Sequence, residues 1–201
     1  MMNTKMTYLL PHGIDHSAER FPDKDAFRFF GQSLTYAQLV RRANSLAQML
    51  HDQGVERQDR VGIYRNKSLE SAIAIYGIMK AGAAYVPLDP LAPVSRLSFV
   101  LQDSGIRHLI SEDSKATNLG VLVQDDVLLD SVVGLAVQDN LPFRTITWED
   151  VDAMPGQSAP RVTLMEHDLA YIMYTSGSTG TPKGLMHTHY SGLSYAQMSI
   201  S

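Results

Sequence analysis

Apolar side chains recur at helical spacing between residues 35 and 54: Leu39, Val40, Ala43, Leu46, Ala47 and Leu50. That stripe is what one face of an α-helix would bury. Thr35 with Gln38 three residues later reads as a capping box at its start, and Gly54 as its stop. Upstream, a short helix is predicted around residues 12–20. A hairpin follows, in which 25–30 and 33–35 flank Gly31-Gln32.

Beyond Gly54, strand and helix patterns alternate. Residues 60–64 (RVGIY), 84–87 (AYVP) and 108–111 (HLIS) are short apolar strands; 68–81 and about 94–104 are helices, ended by Gly82 and Gly105. Helices set between short apolar strands imply an α/β fold, a mostly parallel sheet flanked by helices. Residues 112–150 are less regular. Residues 121–123 and 127–133 read as strands, and Thr147-Trp148-Glu149-Asp150 as a helix start. With Pro142, Pro155 and Pro160 the passage reads as a loop-rich excursion within one domain. Residues 169–174 (LAYIMY) then form a run that reads as a buried strand.

Composition narrows the function classes. The 201 residues contain no cysteine, which excludes disulfide frameworks, Cys-ligated metal sites and thiol nucleophiles from this segment. With 17 Lys plus Arg against 21 Asp plus Glu, the net charge of −4 argues against nucleic acid as a partner. No stretch approaches the ~20 apolar residues of a membrane span, and the first apolar cluster is too short for a signal peptide. A cytoplasmic protein is the expectation.

Candidate chemistry concentrates after the 169–174 strand. Thr175, Ser176, Gly177, Ser178, Thr179, Gly180, Thr181, Pro182, Lys183 and Gly184 include five hydroxyl residues, three glycines and one cation. Glycines let backbone N–H groups converge on an anion, hydroxyls add donors, and a lysine neutralises phosphate charge. A buried strand feeding such a loop places it at a sheet edge, where α/β proteins bind ligands. The competing reading is a flexible Gly/Ser linker. Against it stand the strand before and the apolar Leu185-Met186 after. In a Walker loop the lysine is followed by Ser or Thr; Gly184 follows here, so that reading is set aside.

LAYIMYTSGSTGTPKG (169–184) resembles the phosphate-loop signature of the adenylate-forming superfamily of acyl-CoA synthetases, nonribosomal peptide synthetase adenylation domains and luciferase. LTYAQL (34–39) and KAGAAYVPLDP (80–90) resemble that family's first and second core motifs, in the same order. The resemblance implies an AMP-forming ligase using ATP and Mg²⁺. A carboxylate, as in a small carboxylic or amino acid, attacks the α-phosphate. The resulting acyl-adenylate then passes to a thiol of coenzyme A or of phosphopantetheine on an acyl or peptidyl carrier protein. Carried over by position, Thr175, Ser176, Gly177, Ser178, Thr179, Gly180, Thr181, Lys183 and Gly184 bind the ATP phosphates. Thr35, Ala81 and Gly82 read as architecture. The AYVPLDP form leans toward amino-acid or carrier-linked chemistry. The family's carboxylate pocket, ribose-binding acid, and C-terminal lid domain with its catalytic lysine follow the phosphate loop. On this expectation residues 1–201 are the N-terminal portion of an AMP-binding domain, cut after that loop, whose partners include the remainder of its own chain. Alone it would be inactive, with its catalytic residues elsewhere. The alternative is a noncatalytic nucleotide-binding or scaffold domain derived from this fold.

Other motifs are weaker. Gly192-Leu193-Ser194-Tyr195-Ala196 mimics a hydrolase nucleophile elbow, yet an acid and a histidine would have to follow within a few residues. His12 and His16 stand at i,i+4 with no evident third ligand, so no metal site is assigned. His187 and His189 would share a face if 185–189 were a strand, with strand packing or helix capping the better reading. A helix start is read from His189 onward.

Overall fold

Reciprocal bonds open the helix that the sequence marks most clearly. Gln38 N donates to Thr35 Oγ1 at 3.2 Å, and Thr35 N to Gln38 Oε1 at 2.9 Å. The computed structural model describes residues 6–124, 127–136, 141–176 and 181–199. In chain order its elements are α1 (His12–Arg20), β1 (Asp25–Phe29), β2 (Gln32–Thr35), α2 (Tyr36–Asp52), β3 (Arg60–Ile63), α3 (Leu69–Lys80), β4 (Ala84–Pro87) and α4 (Val94–Ser104). They continue with β5 (His108–Ile110), α5 (Ala116–Gln124), β6 (Ser131–Val133), β7 (Arg144–Ile146), α6 (Trp148–Ala153), β8 (Leu169–Thr175), β9 (Lys183–Thr188) and α7 (His189–Met198).

Among the described residues, seven strands form one sheet in the order β7-β6-β5-β3-β4-β8-β9. Every pairing is parallel except β8 with β9. Alternation along the strands feeds two cores. Ile110 and Val133 join Val61, Ile63 and the buried faces of α2 and α3, while Leu109 and Val132 join Val86, Leu97, Val100 and Leu119 beneath α4 and α5. Side chains one residue apart therefore serve opposite layers, as a strand period of two requires. The α/β reading holds: a mostly parallel sheet flanked by helices on both faces.

Several local expectations are corrected. The β1–β2 turn sits at Phe30-Gly31, one residue earlier than expected, with φ of 46° and 77°. A two-residue turn with both φ positive matches strand twist, so Gln32 is drawn into β2. Residues 121–123 are helical, within α5, which buries Leu119 and Leu122 at i,i+3 while Val121 stays exposed. Of 127–133 only 131–133 form a strand. The valine-rich composition suggested strands, but helical burial decided. Strand β7 carries no apolar alternation that would have announced it. The passage that reads as an excursion supplies the far edge of the sheet. The helix start at Thr147 is as expected: Asp150 N donates to Thr147 Oγ1 at 3.1 Å.

Candidate functional site

Thr175 and Lys183 face each other as cross-strand partners, at the last residue of β8 and the first of β9. The hydroxyl- and glycine-rich segment thus begins at the C-terminal end of a parallel strand and returns antiparallel along the sheet edge. Thr175, Ser176, Thr181 and Lys183 are all exposed. Gly177, Ser178, Thr179 and Gly180, expected phosphate contacts, lie outside the described residues. Among the described residues Lys183 is in no ion pair.

Gly184 lies within β9 opposite Tyr174. A Cβ there would sit 3.1 Å from Tyr174 Cζ and 3.1 Å from Ile172 Cγ2. Close packing thus accounts for this glycine. Tyr174 donates its hydroxyl to Asp103 Oδ2 at 2.5 Å. Burial, reinforced by that carboxylate, pushes the phenol up to about 12. Beside it a small cavity of about 170 Å³ is bounded by Leu88, Arg96, Val100 and Met173.

On the other side of the hairpin, aromatic rings cross three strands. Tyr85 stacks on Tyr171 at 5.3 Å between centroids, and Tyr171 on His187 at 4.5 Å. His187 therefore serves strand packing. His189 does not share its strand, because β9 ends at Thr188 and the Thr188–Ser191 capping box turns the chain into α7. His189 is buried, receives a hydrogen bond from Leu10 N on Nδ1 at 3.3 Å, and donates its backbone N–H to the Asp168 carbonyl at 3.1 Å. Burial pushes its imidazole down from 6.5 to about 4. Asp168 is itself clamped by Arg57 through two bonds of 2.9 and 2.6 Å, which hold its carboxyl below the usual range.

The decoy motifs find structural uses. Ser194 sits inside α7, so no strand-to-helix elbow exists there. His16 Nδ1 lies 3.2 Å from the Thr7 hydroxyl, and His12 packs edge-on against Tyr8. Trp148 has both Arg42 and Arg65 near its ring, their guanidinium carbons 5.5 and 5.6 Å from the ring centre. Two larger clefts, of about 640 and 700 Å³, are lined by the Lys80–Asp15 and Arg42–Asp152 ion pairs, and neither is lined by β8 or β9. Tyr174, Asp103 and the aromatic ladder escaped sequence reasoning, because their partners are distant in the chain. No helix among the described residues is long and apolar enough to cross a membrane.

A sequence profile of the family described as AMP-binding enzyme matches residues 14–200. The chain belongs to that family. Its AMP-binding relatives include gramicidin S synthase 2 of Brevibacillus brevis, 37% identical over 194 residues; the match covers 93% of this chain and 4% of that protein. Among solved structures, VinN in complex with 3-methylaspartate superposes with a TM-score of 0.77 at 26% identity, covering 96% of this chain and 50% of VinN. The nonribosomal peptide synthetase FmoA3, in its α-methyl-L-serine-AMP-bound form, gives 0.71 at 26% identity, covering 92% of this chain and 19% of that one. The chain thus spans half or less of the length of each of these proteins.

Proposed function

We propose that this chain supplies the phosphate-binding hairpin of an ATP-dependent, AMP-forming ligase. The enzyme would activate a carboxylate as acyl-adenylate and hand it to a thiol of coenzyme A or of a carrier-protein pantetheine. The carrying observation is Lys183, exposed and free of a carboxylate partner among the described residues, facing Thr175 where β8 gives way to the loop. Family membership supports the reading, as do relatives solved with an amino acid or an aminoacyl adenylate. These favour an amino-acid-like carboxylate and carrier-linked chemistry.

The residues fit a polyphosphate. Thr175, Ser176 and Thr181 offer hydroxyl donors, and Gly177, Ser178, Thr179 and Gly180 complete the sequence of the loop. Lys183 neutralises charge on the β- and γ-phosphates. Gly184 belongs to this reading only through packing, since its place in β9 makes room for Tyr174. ATP supplies the activated α-phosphorus, and the protein's part is to orient and stabilise the departing pyrophosphate. Mg²⁺, entering with the nucleotide, would supply charge neutralisation for the leaving pyrophosphate beside Lys183. Residues 1–201 are read as the N-terminal part of an AMP-binding domain. The carboxylate pocket, ribose ligand and catalytic lysine are assigned to none of them. A cytoplasmic location, where ATP and acceptor meet, goes with this reading.

Isothermal titration with magnesium pyrophosphate tests it. The 201-residue chain is expected to bind, and Lys183→Ala to weaken binding about tenfold or more, given up to ~4 kcal/mol for two unit charges about 4 Å apart near a protein surface and ~1.4 kcal/mol per tenfold. Full affinity in that variant would refute the assignment. The same chain is expected to catalyse no ATP–pyrophosphate exchange. Exchange with any carboxylate would show that the remaining chemistry has been wrongly placed elsewhere.

A further inference from the structure

Tyr174 is the penultimate residue of β8, so its backbone leads directly into Thr175 and Ser176. Its partner across the hairpin is Gly184, the residue after Lys183. One side chain therefore touches both stems of the site. The ring lies so close over Gly184 that a Cβ there would be 3.1 Å from Cζ and 3.3 Å from the hydroxyl oxygen. The hydroxyl reaches past the sheet to Asp103, in the last turn of α4, with an O–O distance of 2.5 Å. That is the short, strong geometry of a hydrogen bond to a charged acceptor.

Thr175 and Lys183, by contrast, make no side-chain hydrogen bond or ion pair among the described residues. Their direction is set by strand register and by whatever holds the strands. Among the described residues strand β9 pairs on one side only, with β8, and four of its six residues are exposed, so its place in the sheet depends chiefly on β8. Among the described residues, the Tyr174 strut is a polar tie from the end of β8 to the last turn of α4.

We propose that Tyr174 is a positioning residue for the phosphate site. Pinned by Asp103 and packed on Gly184, it sets the spacing and twist of the strand ends from which Thr175 and Lys183 project. This inference rests on the reading of Lys183 as a phosphate-binding cation. Tyr174 is not itself a phosphate ligand, because its hydroxyl is committed to a carboxylate that would repel an anion. Gly184 belongs to the same device, since any larger residue there displaces the ring.

The test is magnesium pyrophosphate affinity of the 201-residue chain by titration calorimetry, with melting temperature measured alongside. Tyr174→Phe and Asp103→Ala are each expected to weaken binding about five- to tenfold, by loosening the geometry of groups they do not contain. The double variant should be no weaker than either single one, because both remove the same bond. Asp103→Asn keeps an acceptor oxygen and should stay within about twofold of the parent chain. Asp103 is exposed, so its variants report even if Tyr174→Phe folds poorly. If the parent chain binds, Lys183→Ala loses affinity, and the Tyr174 and Asp103 variants shift only the melting temperature, the positioning role is refuted while the phosphate reading stands. If the parent chain does not bind pyrophosphate at all, both fall together.

Discussion

Strands β6 and β9 belong to the same sheet and are built very differently. All three residues of β6 are buried, between β5 and β7 and under helices on both faces. Four of the six residues of β9 are exposed, Leu185 and Met186 among them, and among the described residues the strand pairs only with β8, at the end of the sheet order. A parallel interior strand is held by hydrogen bonds on both sides and by two apolar layers, so little can approach it. An antiparallel edge keeps backbone and side chains open, which exposes the protein to unwanted pairing but also gives a ligand access. Among the described residues, burial is concentrated at the β3–β6 side of this molecule, and exposed side chains at the β8–β9 end.

The sharpest way to break that contrast is to truncate one leucine on each side. Leu109→Ala, in fully buried β5, is expected to cost about 2–5 kcal/mol, whereas Leu185→Ala on the edge should stay within about 0.5 kcal/mol. Urea unfolding of both variants measures the difference. Equal losses would show that β9 is as much a core strand as β5.

Acid probes the anchor beneath the edge. His189 titrates near 6.5 when unfolded and near 4 when folded, so the unfolded state takes up a proton first as pH falls. Stability contributed by the neutral imidazole is therefore complete above about pH 6.5 and lost progressively down to about pH 4, on the order of 3 kcal/mol. Burial depresses His108 and His12 in the same sense. Denaturant midpoints at several pH values should show the slope, and His189→Gln should flatten it. An unchanged slope in that variant would mean that His189 is not the proton-linked anchor.

Smaller effects come from the helix caps, one on each side of the comparison. Thr35→Ala removes the N-cap of α2, whose face lies in the core, and should lower global stability by about 1 kcal/mol. Thr188→Ala removes the equivalent cap of α7, largely exposed, and should act locally, through faster amide exchange in its first turn. Hydrogen exchange followed residue by residue distinguishes the two. Global loss from both would argue that α7 unfolds with the core.

Local features were legible residue by residue. The Thr35–Gln38 box, the stripe on α2 and the glycine stops at positive φ all depend on near neighbours. The run at 121–123 was misread because a short valine-rich segment fits strand and helix equally well until its burial is known. Strand β7 was silent, because Arg144, Thr145 and Ile146 acquire strand geometry only by pairing with β6. At the site, the residue types of the hairpin were plain in the sequence. The Tyr174–Asp103 bond spans 71 residues and the Arg57–Asp168 pair spans 111, and no local pattern encodes either.

The sequence by itself determined where most helices begin and end, the α/β alternation, and the concentration of hydroxyls, glycines and one lysine after an apolar strand, of which only Ala170 and Ile172 prove buried. Those follow from short-range sterics, capping and apolar periodicity, which act within a few residues. Only the tertiary structure decided that Lys183 opens an antiparallel edge strand opposite Thr175, that Gly184 makes room for a tyrosine, and that His189 is a neutral anchor. Each depends on desolvation and on contacts between segments far apart in the chain, which exist only once the sheet has assembled.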